Sequence, residues 1–298
     1  MPLPDPVAHR LIQARHLLAG NPELAMENQV RDPATEPPTN VHPDHAEVLQ
    51  AANGFVLGAV RLNEGPPLSD WNPFARLAPD QDPPPGTWYV VGNVAAVGLL
   101  VLNEDDNSIW LVDDTPGGSW QDGTAYRRLT DNLATFLEDF VFGPRYRELS
   151  DTIDDAWAAV IPKLDELQPL VEYVRYEATE PNRRMTYPGV FALANGLAHA
   201  KRLTPEDLAW WRAHNDLMND TYPDPASTNP SVYDRGQHPG ARAYFRADAH
   251  DLLRITRGYL HLLDRYDVDW RELRTYDPGH ILYADDVQVV AEPWRTTC

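Results

Sequence analysis

With 45 acidic against 25 basic residues in 298, the chain carries a formal charge of −20, which repels a phosphate backbone and argues against sequence-independent binding of DNA or RNA. Its single cysteine, Cys298, excludes an internal disulfide and a cysteine-based zinc site. No apolar run approaches the ~20 residues of a membrane span, and MPLPDPVAHR lacks the basic-then-apolar layout of a secretory signal, so a cytoplasmic protein without membrane contact is expected. The acid is spread rather than held in a tail: residues 1–150 hold 21 acids and 9 bases, the remainder 24 and 16. Arginine outnumbers lysine 23 to 2, which fits a GC-rich bacterial coding sequence, and the length predicts two domains.

Val7 to Ala19 places Leu11, Ala14, Leu17 and Leu18 on one helical face, stopped by Gly20-Asn21-Pro22. Residues 31–43 (RDPATEPPTNVHP) are too rich in proline for a regular element. His42-x-x-His45 has the look of a metal pair, but no cysteine or third histidine lies nearby, which favours a loop and helix-cap role. A short helix through Ala46, Leu49 and Gln50 ends at Asn53-Gly54, and Phe55–Leu62 begins a strand. A proline-rich loop with Trp71 and Phe74 leads to the run Thr87–Gly92. Gly98–Leu102 and Ser108–Val112 then flank the acidic turn Asn103-Glu104-Asp105-Asp106-Asn107, which reads as an antiparallel hairpin. Leu129, Leu133, Phe136, Leu137 and Phe140 recur at helical spacing and predict a helix over 131–142, with Thr130 as cap and Gly143-Pro144 as stop. A hairpin covered by a helix is the nucleus of an α+β layer.

The order of these pieces carries a resemblance: a helix closed by an Asn-Gly turn, an aromatic after it, a strand with Arg61-Leu62, a Pro/Trp loop, the V-G-N…G-L-L-V-L-N hairpin, I-W-L-V-D-D, and a T-x-N-L-A-T-F-L helix. Over residues of about 45–143 this resembles the SUKH superfamily, the Smi/Knr-like domain. The proline loop at 31–43 departs from the family's amphipathic helix before the Asn-Gly turn. The resemblance implies an antiparallel sheet with helices on one face and protein binding rather than catalysis. It also implies an immunity-type protein that occludes the active site of a bacterial toxin, many such toxins being nucleases.

The expected division is 1–150 for the SUKH-like domain with its N-terminal helix, 151–189 for a helical connector and 190–298 for a second, smaller α+β domain. The connector carries Trp157, Val160, Ile161, Leu164 and Leu167, with Pro162 and Pro169 dividing it. Residues 177–189 read as loop. Thr204-Pro205-Glu206-Asp207 is a helix start, with Leu208, Trp211, Asn215 and Met218 on one face. A long loop follows at 221–240, then a helix with Leu252, Ile255, Tyr259, Leu263 and Tyr266. Trp270–Tyr276 reads as a strand, and His280–Ala284 and Val287–Glu292 as a hairpin closed at Asp285-Asp286.

No phosphate-binding glycine loop, zinc-protease or nucleophile-elbow motif is present. The alternative to a binding protein is a metal-dependent hydrolase built from His214, Asp216, Asp220, Asp224, Asp234, His238, Asp248 and His250. His214 and Asp216 do not share a helix face, and Asp220 and Asp224 suit a helix end and turn. No cofactor, catalytic residue or metal is therefore expected. A calcium loop at the acidic turn lacks the required ligand order. Glu104, Asp105, Asp106, Asp113 and Asp114 with Trp71 and Trp120 instead form the expected surface for a basic protein partner, the aromatics as anchors and the charge for encounter.

Overall fold

The computed structural model describes residues 5–34, 39–65, 72–77, 81–115, 117, 119–120, 123–149, 155–167 and 169–294. The architecture is α+β, in two units, Met1–Pro169 and Leu170–Cys298. No helix among the described residues is long and apolar enough to cross a membrane.

In the first unit the strands β1 (Gln29–Val30), β2 (Phe55–Leu57), β3 (Val60–Leu62), β4 (Trp88–Val94), β5 (Gly98–Asn103), β6 (Ile109–Val112) and β7 (Tyr126–Thr130) pair in sequence order, each antiparallel to the next. The expected hairpin is β5–β6, with Leu99 opposite Val112 and Leu102 opposite Ile109. Alternation along the strands separates two faces. Leu57, Leu62, Val91, Leu100, Leu102, Ile109 and Leu111 enter the main core, while Val90, Leu99, Val101 and Val112 pack on the opposite face. The helices α1 (Asp5–Ala19), α2 (Pro43–Ala51), α3 (Leu133–Phe136) and α4 (Ala156–Val160) add Leu11, Val48, Phe136 and Trp157 to the main core. The helices therefore cover one face of the sheet.

Three expectations change. Phe55–Leu62 is two strands, because Gly58 takes φ +58° and reverses the chain between Leu57 and Val60. Residues 126–130 are strand, so Leu129 lies on the sheet and Thr130 opposes Ile109. The helix cap is consequently Asn132, whose side-chain oxygen accepts the Thr135 N–H at 2.8 Å. The predicted 131–142 helix has a single α-turn, α3, and then widens into a π-helical turn, Leu137–Val141, which Phe142 N–H closes on the Leu137 carbonyl at 2.9 Å. After α4, Pro162 stands in a 3-10 turn, Ile161–Glu166, that adds Leu164 to the same core.

The second unit holds a five-stranded antiparallel sheet among the described residues. Its strands are β8 (Tyr173–Ala178), β9 (Arg242–Arg246), β10 (Trp270–Thr275), β11 (His280–Ala284) and β12 (Gln288–Glu292), in the order β10-β8-β9-β12-β11. The stretch read as a connector thus supplies the end of one unit and the first strand of the next. Helices α5 (Val190–His199), α6 (Pro205–Thr221) and α8 (His250–Arg265) pack on the sheet through Ala194, Trp210, Leu252, Tyr259 and Leu263, against Val174, Tyr176 and Phe245. Thr204 caps α6 as expected, accepting the Asp207 N–H at 3.2 Å. The 221–240 loop contains one short helix, α7 (Pro225–Thr228). Asp285 closes the β11–β12 turn by accepting the Val287 and Gln288 N–H groups, each at 2.8 Å.

Candidate functional site

The acidic turn between β5 and β6 is held from both sides. Glu104 N–H donates to the Thr87 carbonyl at 2.8 Å, and the Asn103 side chain accepts the Asp105 N–H at 2.9 Å while donating to the Pro85 carbonyl at 3.2 Å. Glu104, Asp105 and Asp106 are exposed. Asp106 accepts both the hydroxyl and the N–H of Ser108, which hold its carboxyl below the usual range, with Arg128 at 3.8 Å adding to the effect. Glu104 and Asp105 have no ion pair among the described residues.

The other predicted contacts divide. Asp113 and Asp114 lie beyond the far end of β6, a strand about 10 Å long at the usual rise per residue, so the five acids do not form one cluster. Asp113 is 9% exposed and spends its carboxylate on its own turn, accepting the N–H of Thr115 at 2.9 Å. Asp114 is half-buried, and its carbonyl accepts Arg76 at 2.7 Å. Trp120 is half-buried against the main core, with the Arg127 guanidinium 5.2 Å from its ring centroid. Trp71 lies outside the described residues.

What sits beside the acidic turn is a group of rings on the sheet face that bears no helix among the described residues. Phe74 meets Trp88 edge-on at 4.9 Å, Trp88 meets Trp110 at 5.7 Å and 87°, and Tyr126 lies 6.1 Å from Trp110. Trp88, Trp110 and Tyr126 are half-buried, and Phe74, from the loop before β4, is buried among them. The rings join the turn directly: Trp110 Nε1–H donates to Ser108 Oγ at 2.8 Å, and the same hydroxyl donates to Asp106. A strand tryptophan with apolar neighbours reads as core. The signal that marks it otherwise is parity, because Trp110 and Val112 alternate with Ile109 and Leu111, which fill the helix-covered face. The chain matches no known protein family, no curated protein and no solved structure.

The residues of the hydrolase reading are engaged separately. His214 stacks on Trp210 at 3.9 Å and donates from Nδ1 to the Trp210 carbonyl at 3.0 Å. Asp224 accepts the Ala226 N–H at 3.0 Å, and Asp234 accepts the Gly236 N–H at 2.7 Å. Asp248 holds Arg246 through two hydrogen bonds at 2.8 and 2.9 Å, which lower its carboxyl pKa, and His238 stands 3.6 Å from Glu292. Asp216, Asp220 and His250 are exposed. Among the described residues no three His, Cys, Asp or Glu side chains are grouped to hold a metal ion.

Proposed function

We propose that this chain is a non-catalytic protein-binding protein of the SUKH immunity type, which neutralises a toxin by covering a basic active cleft. The observation that carries the reading is the acidic turn joined through Ser108 to the half-buried ring of Trp110, with Trp88 edge-on against it, on a sheet face that bears no helix among the described residues. Half-buried aromatics are the anchors that dominate protein interfaces, and neighbouring charge of the opposite sign to the partner speeds encounter. The meander with its helices on the other face supports the same reading. Occlusion needs no catalytic residue in this chain.

The test is deletion of the gene in the source organism, followed by contact culture with the parent. The deletion strain should be killed or stalled, and the intact gene should restore growth. Asp105→Asn with Asp106→Asn should protect less at physiological salt, through slower association. Trp88→Ala should speed dissociation about 30-fold, the equivalent of ~2 kcal/mol for a buried anchor. A deletion strain that competes normally in contact and in spent medium would sink the immunity reading.

A further inference from the structure

β8 and β9 pair over only two residues, Tyr173 with Arg246 and Val174 with Phe245, and then part. Beyond that point β8 bonds instead to the segment before α5: Ala178 N–H reaches the Pro188 carbonyl at 2.9 Å, and Glu177 pairs with Gly189. Arg175 bridges the opening, donating to Ala243 O at 2.8 Å on one side and Tyr187 O at 2.9 Å on the other. A cleft of about 1540 Å³ lies where the strands separate, walled by the start of α5, the end of α6 and residues 233–243.

The charge in this cleft is opposite to that of the chain. Arg175, Arg184, Arg235 and Arg242 line it, against Asp224 and Glu292. Both carboxylates are engaged, Asp224 at the start of α7 and Glu292 beside His238. Arg175 is itself consumed by Glu177, at 2.7 Å, and by the two carbonyls. Glu177 is fully buried and also holds Arg271 at 2.7 Å, with Arg242 at 3.9 Å, so one carboxylate balances three guanidiniums. Arg184 and Arg235 are exposed and have no ion pair among the described residues. The same cleft is lined by the amides of Asn219 and Gln237 and by Tyr233, which is 41% exposed.

We propose that this cleft binds a phosphorylated small molecule of the nucleotide class, its phosphates on Arg184, Arg235 and Arg242 and its base against Tyr233. Guanidiniums match phosphate oxygens in pairs, and an exposed ring offers a face on which any base can stack. The volume exceeds the usual 300–1,000 Å³ of small-ligand sites and leaves room for a triphosphate and a base together. The overall acidity that repels a long nucleic acid does not prevent this, since a small ligand meets only the local field of the cleft. The proposal is independent of the toxin-binding reading, which concerns the other unit.

The test is calorimetric titration of the full chain with ATP, pyrophosphate, adenosine and hexaglutamate at low salt. ATP should bind most tightly and pyrophosphate more weakly, with adenosine at least about tenfold weaker than ATP. Arg184→Gln and Arg235→Gln, both at exposed positions, should each weaken ATP about tenfold while leaving the melting temperature unchanged. Tyr233→Ala should weaken ATP but not pyrophosphate. Absence of ATP binding, indifference to both arginine changes, ATP no tighter than pyrophosphate, or hexaglutamate tighter than ATP would each overturn the proposal.

Discussion

His45 is fully buried at the inner side of α2, where its Nε2–H donates to the Asn63 carbonyl at 3.0 Å and its Nδ1 accepts the Tyr89 hydroxyl at 2.8 Å. Burial, with a smaller contribution from His42, lowers its pKa from 6.5 to about 4 against the opposing pull of the Asn63 carbonyl. Between those values the unfolded chain takes up a proton that the folded chain refuses, so stability falls as pH drops from 6.5 toward 4. The loss at the bottom of that window is on the order of 3 kcal/mol. Urea denaturation at a series of pH values should show this slope, and His45→Gln should remove it; an unchanged slope would assign the effect to other groups. Gly58 makes a second residue-scale case. A Cβ there would lie 2.0 Å from the Tyr146 hydroxyl and 2.4 Å from an Asp155 carboxylate oxygen, at φ +58°. That hydroxyl and carboxylate bond to each other and both accept the Ala59 N–H, at 2.7 and 2.9 Å. Gly58→Ala should therefore destabilise the first unit by on the order of 3 kcal/mol, read as a lower denaturation midpoint. The His42–His45 pair was legible as a cap, and His42 Nδ1 does accept the Asp44 N–H at 3.3 Å. The core role of His45 was not, because its partners come from Asn63 and from Tyr89 on β4.

At the scale of elements, β8 shows why some strands were hidden. Its sequence, YVRYEA, places Arg175 and Glu177 where a strand buried on both faces would carry apolar residues, yet both are buried. Their burial is balanced only in the folded state, by Arg271 from β10 and by carbonyls at Tyr187 and Ala243. Removing one member of such a group leaves the others buried and unpaired. Glu177→Gln should cost about 3 kcal/mol and lower the thermal midpoint of the second unit, whereas a change below about 1 kcal/mol would show the arginines finding other partners. The strand β7 was lost for a different reason. Leu129 to Phe140 has a helical period by coincidence of a strand residue with a helix, and only the pairing of Thr130 with Ile109 separates them. By contrast β5–β6, α8 and β11–β12 were legible, since each is specified locally by period and turn chemistry.

At the scale of the whole molecule, each unit has its own core. The larger one gathers Leu11, Leu100, Phe136 and Trp157, and the other Val174, Leu252, Tyr259 and Leu263. Residues 170–298 should therefore fold when expressed alone, with a cooperative melt and a near-ultraviolet signal from Trp210, Trp211 and Trp270. A gradual, featureless transition would mean that this core needs the rest of the chain. The charge is also uneven between units: residues 170–298 hold 19 acids and 15 bases, and several of those bases are gathered at one cleft. Under the two proposals, titration at rising salt should show a basic protein at the acidic turn and a phosphorylated ligand at this cleft both binding more weakly.

Composition and local pattern were enough to determine an acidic α+β chain with a hairpin at Gly98–Val112 and a helix cap at Thr204. These depend on neighbours within a few residues, where turn chemistry and side-chain period act directly. Only the tertiary structure decided which of the marked residues are exposed and which are spent inside the fold. It turned Asp113 inward, set Trp120 against the core, and linked Trp110, with Trp88 against it, to Asp106 through Ser108. It also drew Arg175, Arg242 and Arg271 around Glu177 and opened the cleft beside them. Those contacts join strands far apart in sequence, and no local period encodes which strand will be the neighbour.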